Sequence, residues 1–247
     1  MTFDELLALV DDRSAALRSA AAAASSLEAR VPGCPDWTLT DLICHLGAVQ
    51  RFWAVVVRLA DPSAPPTAEQ RGDTDPRGDL LEWSAESTAL LLDALRAAGP
   101  ERPAWAWWAE SGAPMTAAAI ARHQVQEAAV HAYDAQEAAG EPAPLPAAVA
   151  MDGVAEFLSV GMASLGKWPH RPARVAFTAI EGPSWVVDLS PAGVQLDPAA
   201  SGEPVTTVHG SASDLVLALY KRIPVDAVRL DGDRSVFGEM LAWSATE

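Results

Sequence analysis

The sequence predicts an α+β protein of two domains, with an antiparallel four-helix bundle first and a smaller α+β domain with an antiparallel sheet after it. Three observations predict this class. Long stretches rich in Ala and Leu, with apolar residues at helical spacing, fill the first 140 residues. Glu141-Pro-Ala-Pro-Leu-Pro146 then sets three prolines in five residues, a stiff linker that no helix continues through. Beyond it, short runs that alternate apolar and polar residues are punctuated by Gly and Pro. The domains are accordingly expected over residues 1–140 and 147–247.

The first helix is expected over residues 2–29, with Thr2 as cap, Asp4 and Glu5 in the first turn, and Leu6, Leu9, Val10 and Leu17 as the apolar stripe. Val31-Pro-Gly-Cys-Pro-Asp36 breaks it. A second helix then runs to about residue 60. Thr38 and Asp41 have the spacing of a capping box, and Trp37 and Leu42 that of a hydrophobic staple. Residues 61–76 read as a Pro-rich loop. A third helix over 79–98 ends at Gly99-Pro100. Residues 102–114, with Trp105, Trp107 and Trp108, read as a loop lying over the bundle. There the three rings either wall a site for a flat apolar substrate or simply cover the helices, and the second reading is preferred. A fourth helix over 117–139 is Ala-rich and free of Pro and Gly.

In the second domain, residues 147–165 read as a helix. Strands are expected at 174–180, 184–189, 194–196 and 205–208, helix at 211–221, a short strand at 227–230 and a closing helix at 235–243.

Composition narrows the function. The 247 residues carry a formal net charge of −16, which disfavours nucleic acid and anionic membrane surfaces as partners. The longest apolar run, 52–59, is too short to cross a bilayer. The two cysteines, Cys34 and Cys44, are not a disulfide framework, and the first residues lack the basic start and apolar core of a signal peptide. A cytoplasmic protein is expected.

The chemistry concentrates in the fourth helix. Glu127 and His131 are four residues apart, so they share one face, separated by about 6 Å along the axis. A carboxylate and an imidazole so placed suit a divalent metal such as zinc, with ligand bonds of about 2.0–2.2 Å. A third ligand must come from elsewhere, and His45, in the second turn of the second helix, is the choice. His123 stands about 12 Å along the axis from His131, too far to share the ion comfortably. Cys44 points about 100° away from His45 around the helix. Asp134, one turn beyond His131, either orients that imidazole through its other nitrogen or is a solvated carboxylate.

Pro32-Gly-Cys-Pro-Asp-Trp-Thr-Leu-Thr-Asp-Leu-Ile-Cys-His45-Leu-Gly and Glu127-Ala-Ala-Val-His131-Ala-Tyr-Asp134 resemble the two signatures of the mycothiol-dependent maleylpyruvate isomerase family. These are actinobacterial proteins with a DinB-like four-helix bundle. Gly210-Ser-Ala-Ser-Asp-Leu-Val-Leu-Ala-Leu-Tyr-Lys-Arg222, followed by Leu230-Asp-Gly-Asp233, resembles the C-terminal domain common in that family. The resemblance implies that His45, Glu127 and His131 bind Zn2+, other divalent metals being possible, and that mycothiol is the thiol cosubstrate. It implies a zinc-bound thiolate that adds to an electrophilic small molecule, as a transferase or an isomerase. It also implies that Arg222 neutralises a substrate carboxylate, although a cation balancing the helix dipole accounts for Arg222 nearly as well. Two other readings stay open: a zinc hydrolase using metal-bound water, which lacks an obvious free carboxylate as base, and a non-catalytic ligand-binding or regulatory protein that kept the fold.

Overall fold

The computed structural model of the chain describes residues 1–72, 74–196 and 202–244. Asp73, in the Pro-rich connection, and residues 197–201 and 245–247 lie outside the described residues. The chain divides into two compact units, one of residues 1–107 and 114–143, the other of residues 108–113 and 144–247. The model is mixed helix and sheet, with a helical first unit and the main sheet in the second.

In the first unit, α1 (Phe3–Ala23) starts at a capping box: the Thr2 hydroxyl accepts from the Glu5 N–H, and the Glu5 carboxylate accepts from the Thr2 N–H. It ends well short of the expected residue 29 because the chain is used differently there. β1 (Arg30–Val31) and β2 (Cys34–Thr38) pair antiparallel across Pro32-Gly33, a hairpin where the sequence reading had only a break. β2 runs directly into α2 (Leu39–Leu59). Its start is held by the Thr38–Asp41 capping box and by Leu39 and Thr40, whose N–H groups donate to the carbonyls of Ala29 and Leu27. The donors that a helix N-terminus leaves unpaired are thus taken up by the hairpin segment. A single turn, α3 (Ala68–Arg71), interrupts the expected loop, capped by Thr67 and Gln70. α4 (Leu80–Ala98) is capped by Asp79, and α5 (Ala117–Ala138) by Thr116.

The four long helices form a bundle in which α1 packs on α5 and α4, and α2 packs on α4 and α5. α2 is long and apolar enough by length and composition to span a bilayer. Its buried Gln50, however, donates to Ser14 Oγ at 2.8 Å and accepts from Thr88 Oγ1 at 2.9 Å, tying α2 to α1 and α4. Gly47 marks the closest approach in the bundle: a Cβ built there would meet Trp83 Cζ3 at 2.1 Å. Helix propensity alone would prefer Ala by about 1 kcal/mol.

In the second unit, α6 (Ala147–Glu156) continues as a π turn (Phe157–Gly161) and a 3-10 turn (Met162–Leu165). The hydroxyls of Ser159 and Ser164 donate to the carbonyls of Ala155 and Val160, bonds that compete with the regular ladder. Then come β3 (Ala173–Ala179), β4 (Ser184–Ser190), β5 (Gly193–Leu196), β6 (Thr206–Gly210), α7 (Ala212–Leu219), β7 (Arg229–Gly232) and α8 (Arg234–Trp243). The sheet order is β5-β4-β3-β6-β7. Its pairings are antiparallel except β3 with β6, which run parallel because the chain leaves β5 at one edge and returns on the far side of β3. α7 and α8 cover β3 and β6, with Phe237 of α8 edge-on to Phe177 at 6.0 Å. Trp108, expected to lie over the bundle, instead belongs to this unit and is 1% exposed. A short apolar segment carries no sign of which core will take it.

Two stability outcomes follow from these contacts. Gly47→Ala should lower stability by about 1–3 kcal/mol through overpacking against Trp83, opposite in sign to its helix propensity; a more stable variant in denaturant titration would contradict the packing. Arg174 grips Asp188 through Nε to Oδ1 and Nη2 to Oδ2, both at 2.7 Å, and these bonds outweigh burial to hold the Asp188 carboxyl below its ordinary value. The stability this contributes is present above the unfolded carboxyl value, about 3.9, and is lost as pH falls through the folded one. Asp188→Asn should therefore cost about 0.5–1 kcal/mol at pH 7, and the difference from the parent should close in acid.

Candidate metal centre

His45 lies in the second turn of α2, directly after the doubly held N-terminus that sets the rotation of that helix. Glu127 and His131 lie one turn apart on α5. What joins the two helices is a core cluster in which Ala128, Ala132 and Ala135 of α5 share a buried layer with Leu39, Leu42, Ile43 and Leu46 of α2. Alanine on one side of a helix pair allows the axes to come close, so short side chains can meet across the seam.

They do meet. His45 Nε2 stands 3.0 Å from Glu127 Oε1, and His131 Nε2 stands 3.4 Å from the same oxygen. One donor atom from each of the three residues lies within 4.8 Å of the others. Ligand atoms around a tetrahedral ion with bonds near 2.1 Å are separated by about 3.4 Å, so this spacing fits a metal with small adjustments. The chemistry of the set, two imidazoles and one carboxylate, fits as well.

The surroundings prepare the donors. Asp134 is fully buried, and its Oδ2 sits 2.9 Å from His131 Nδ1. That bond leaves Nε2 of His131 as the nitrogen facing Glu127 and His45. Of the two roles open to Asp134 in the sequence, the orienting one is what its position provides. The Cys34 thiol also points at Asp134 Oδ2, at 4.0 Å. Burial alone would raise the Glu127 carboxyl, but hydrogen bonds from His131 and His45 outweigh it and hold the group well below the usual carboxylate range. Burial alone would strip the charge from His131; the bonds to Asp134 and Glu127 outweigh that and push it up to about 9. Without metal, Glu127 and His131 form a buried carboxylate–imidazolium pair, and a cation bound through Nε2 of His131 takes the place of its proton. Trp37, read from the sequence as part of a staple, packs its ring against His45 at 4.7 Å and shields the centre from one side.

The remaining residues singled out in the sequence separate clearly. His123 is outside the donor cluster; its ring is edge-on to Trp107 at 5.4 Å and to Trp53 at 6.0 Å. Cys44 is a free thiol, raised by burial and by the Asp41 charge. Arg222 is buried in the second unit just past α7. There Lys221 takes a left-handed conformation, and the N–H groups of Lys221 and Arg222 donate to the carbonyls of Ala218 and Leu217, a Schellman ending with Lys where Gly is usual. The Arg222 guanidinium donates to the Tyr220 carbonyl at 2.8 Å, as a helix-end cation would.

The sequence reading missed a cavity of about 540 Å3 in the first unit, lined among others by Phe52, Trp53, Trp105, Trp107, His123 and Glu127. It brings aromatic walls up to one member of the donor cluster. Trp105 and Trp107 line this cavity. The spacing of Phe52 and Trp53 on α2 was legible, but what faces them comes from a distant loop.

Asp134→Asn, close in shape, tests the orienting role of Asp134: zinc affinity measured by competition with a chromophoric chelator should fall about 10–100-fold with the helical signal unchanged. An unchanged affinity would remove Asp134 from the centre.

Residues 7–136 match the family model described as the mycothiol maleylpyruvate isomerase N-terminal domain, and residues 148–239 match the MDMPI C-terminal domain. Among solved structures, the chain is similar to two crystal structures of the mycothiol-dependent maleylpyruvate isomerase, one of them a histidine-to-alanine mutant. Their TM-scores are 0.63 and 0.62 for the unsubstituted protein and the mutant, with 16% identity, 94% of this chain and 93% of that chain covered in each case. At that identity the likeness is one of fold. No curated protein sequence matches the chain. With one family model over most of the first unit and its companion over most of the second, the chain belongs to the mycothiol maleylpyruvate isomerase family.

Proposed function

We propose that this protein is an enzyme that uses a low-molecular-weight thiol, mycothiol in keeping with its family, to act on an electrophilic small molecule as an isomerase or S-transferase. The observation that carries the proposal is the meeting of His45, Glu127 and His131 within 4.8 Å beside an aromatic cavity. In this reading the three residues hold a divalent metal, zinc for preference, since two imidazoles and a carboxylate are one of its catalytic donor sets. When bound, the metal supplies positive charge that favours thiolate over thiol near neutral pH.

The chain's own groups do the positioning. Asp134 keeps Nδ1 of His131 engaged, so the ring cannot turn away from the centre. Trp37 restricts water on the His45 side, and the cavity rings beside Glu127 hold the electrophile against the thiol. The thiolate sulfur adds to a carbon of an activated double bond, whose π electron pair moves onto the conjugated group; a lasting adduct then takes up a proton there, and a transient one returns the pair and expels the thiolate. In an isomerase it leaves again after rotation about the former double bond; in a transferase the C–S bond stays. Arg222 enters this proposal through the family resemblance, as a buried guanidinium able to neutralise a substrate carboxylate. Cys34 and Cys44 are not joined in a disulfide, which suits a reducing compartment, and we place the protein in the cytoplasm.

Metal analysis and a mass-detected adduct screen test the proposal together. The parent should carry one zinc per chain and His45→Ala little or none. Zinc-loaded parent should yield mycothiol adducts, or isomerised product, from a panel of electrophiles, while His45→Ala should lose at least about a hundredfold in rate, the scale of losing a principal catalytic interaction. Equal zinc in both proteins would sink the ligand set. Zinc present with hydrolysis but no thiol dependence would replace the thiol reading with the hydrolase one.

A further inference from the structure

We infer that the cavity beside Glu127 binds the electrophile, and that it takes a flat aromatic molecule bearing a carboxylate. This rests on the thiol-dependent reading for the role of the bound molecule, but not for its shape or charge.

The shape comes from the rings. Trp53 and Trp105 lie 25° from parallel with centroids 6.1 Å apart, and Phe52 stands edge-on to both, at 5.4 Å and 6.1 Å. His123 stands edge-on to Trp53 and Trp107. Trp53 is buried beneath this cluster, so the rings that a planar aromatic guest would meet are those of Phe52, Trp105 and Trp107. Trp107 is 44% exposed and lines the cavity, so its ring is open to a guest. Ala48 and Val49 extend the apolar lining. The volume, about 540 Å3, exceeds what one benzene ring needs and suits a bicyclic guest.

The charge comes from Arg71 at the end of α3, which also lines the cavity and is exposed. In a chain of net charge −16 it is the permanent cation among the described lining residues. One guanidinium suits one carboxylate. A small aliphatic dicarboxylate would leave the rings without an aromatic partner. A sugar would stack on the rings but needs several hydrogen-bonding groups around its edge. Of the polar side chains that line the cavity, Glu127 is already engaged with His45 and His131, and Arg71, Thr74 and His123 remain.

Isothermal titration calorimetry on the full chain, zinc-loaded and zinc-free, tests this with 2-naphthoate, cyclohexanecarboxylate, maleate, 2-naphthol and methyl glucoside as probes. Binding of 2-naphthoate should be at least about tenfold tighter than that of cyclohexanecarboxylate or maleate, the range expected from aromatic pairing. Trp107→Ala, checked for an unchanged helical signal and denaturation midpoint, should lose about five- to tenfold for 2-naphthoate. Arg71→Ala should lose about three- to fivefold for 2-naphthoate and nothing for 2-naphthol, as expected for one exposed ion pair. Equal binding of the naphthalene and cyclohexane acids, or no effect of Trp107→Ala, would overturn the aromatic assignment. Tighter binding of methyl glucoside than of 2-naphthoate would give the cavity to a sugar instead. Naphthoate binding without any thiol adduct would keep this inference and remove the thiol-dependent function. Adducts formed with aliphatic electrophiles and not with aromatic ones would do the reverse.

Discussion

The site depends on how closely α5 can approach α2. Three alanines of α5, Ala128, Ala132 and Ala135, lie in the same buried layer as the leucines and isoleucine of α2. Larger residues there would push the axes apart, and an imidazole cannot stretch to make up the difference. The alanine face therefore does more than favour helix. It packs in the buried layer shared with α1 and α2, beside which His45 reaches the Glu127 carboxylate at 3.0 Å.

A second constraint fixes rotation rather than distance. The hairpin ahead of α2 takes up the free N–H groups of Leu39 and Thr40 and leads in through the Thr38–Asp41 box, so the first turn of α2 cannot fray or swivel. The same hairpin segment delivers Trp37 to the His45 ring and Cys34 to Asp134. One short stretch thus starts the helix, shields the first histidine and reaches the carboxylate behind the second. At Gly47, two residues after His45, the opposite face of α2 meets Trp83 with no room for a methyl group, which clamps α2 from the α4 side.

The electrostatics follow from that rigidity. Two carboxylates and two imidazoles are brought together in a partly to fully buried place, where unpaired charges would be costly. Each is matched: Glu127 lies between the two Nε2 atoms and Asp134 behind His131. These contacts hold the cluster together and keep its donors aimed inward, and a metal bound at His131 Nε2 displaces the proton held there. Beside it, the cavity is apolar and aromatic, a medium in which the charge of the cluster is poorly screened.

Much of this was legible in the sequence. The helices, their caps and the linker follow from local rules: Thr38 with Asp41, the prolines after Gly140, the alternation in 174–189. The i, i+4 spacing of Glu127 and His131 puts them on one face by geometry alone, and His45 was the plausible partner by its place in a second helix. Local rules do not reach further. They gave no sign that Pro32-Gly33 closes a hairpin, since a two-residue strand has no periodicity to read. Alternation along a strand is the same whether its neighbour runs parallel or antiparallel, so the β3–β6 pairing was hidden. Trp105, Trp107 and Trp108 look alike in the chain, yet two of them wall the cavity and the third is buried in the other unit. The sequence by itself determined which segments coil or extend and which side chains share a face, because those depend on neighbours a few residues away. Only the tertiary structure decided which helix faces meet and where a cavity opens, because those depend on contacts between residues far apart in the chain, such as His45 with Glu127 and Trp53 with Trp105.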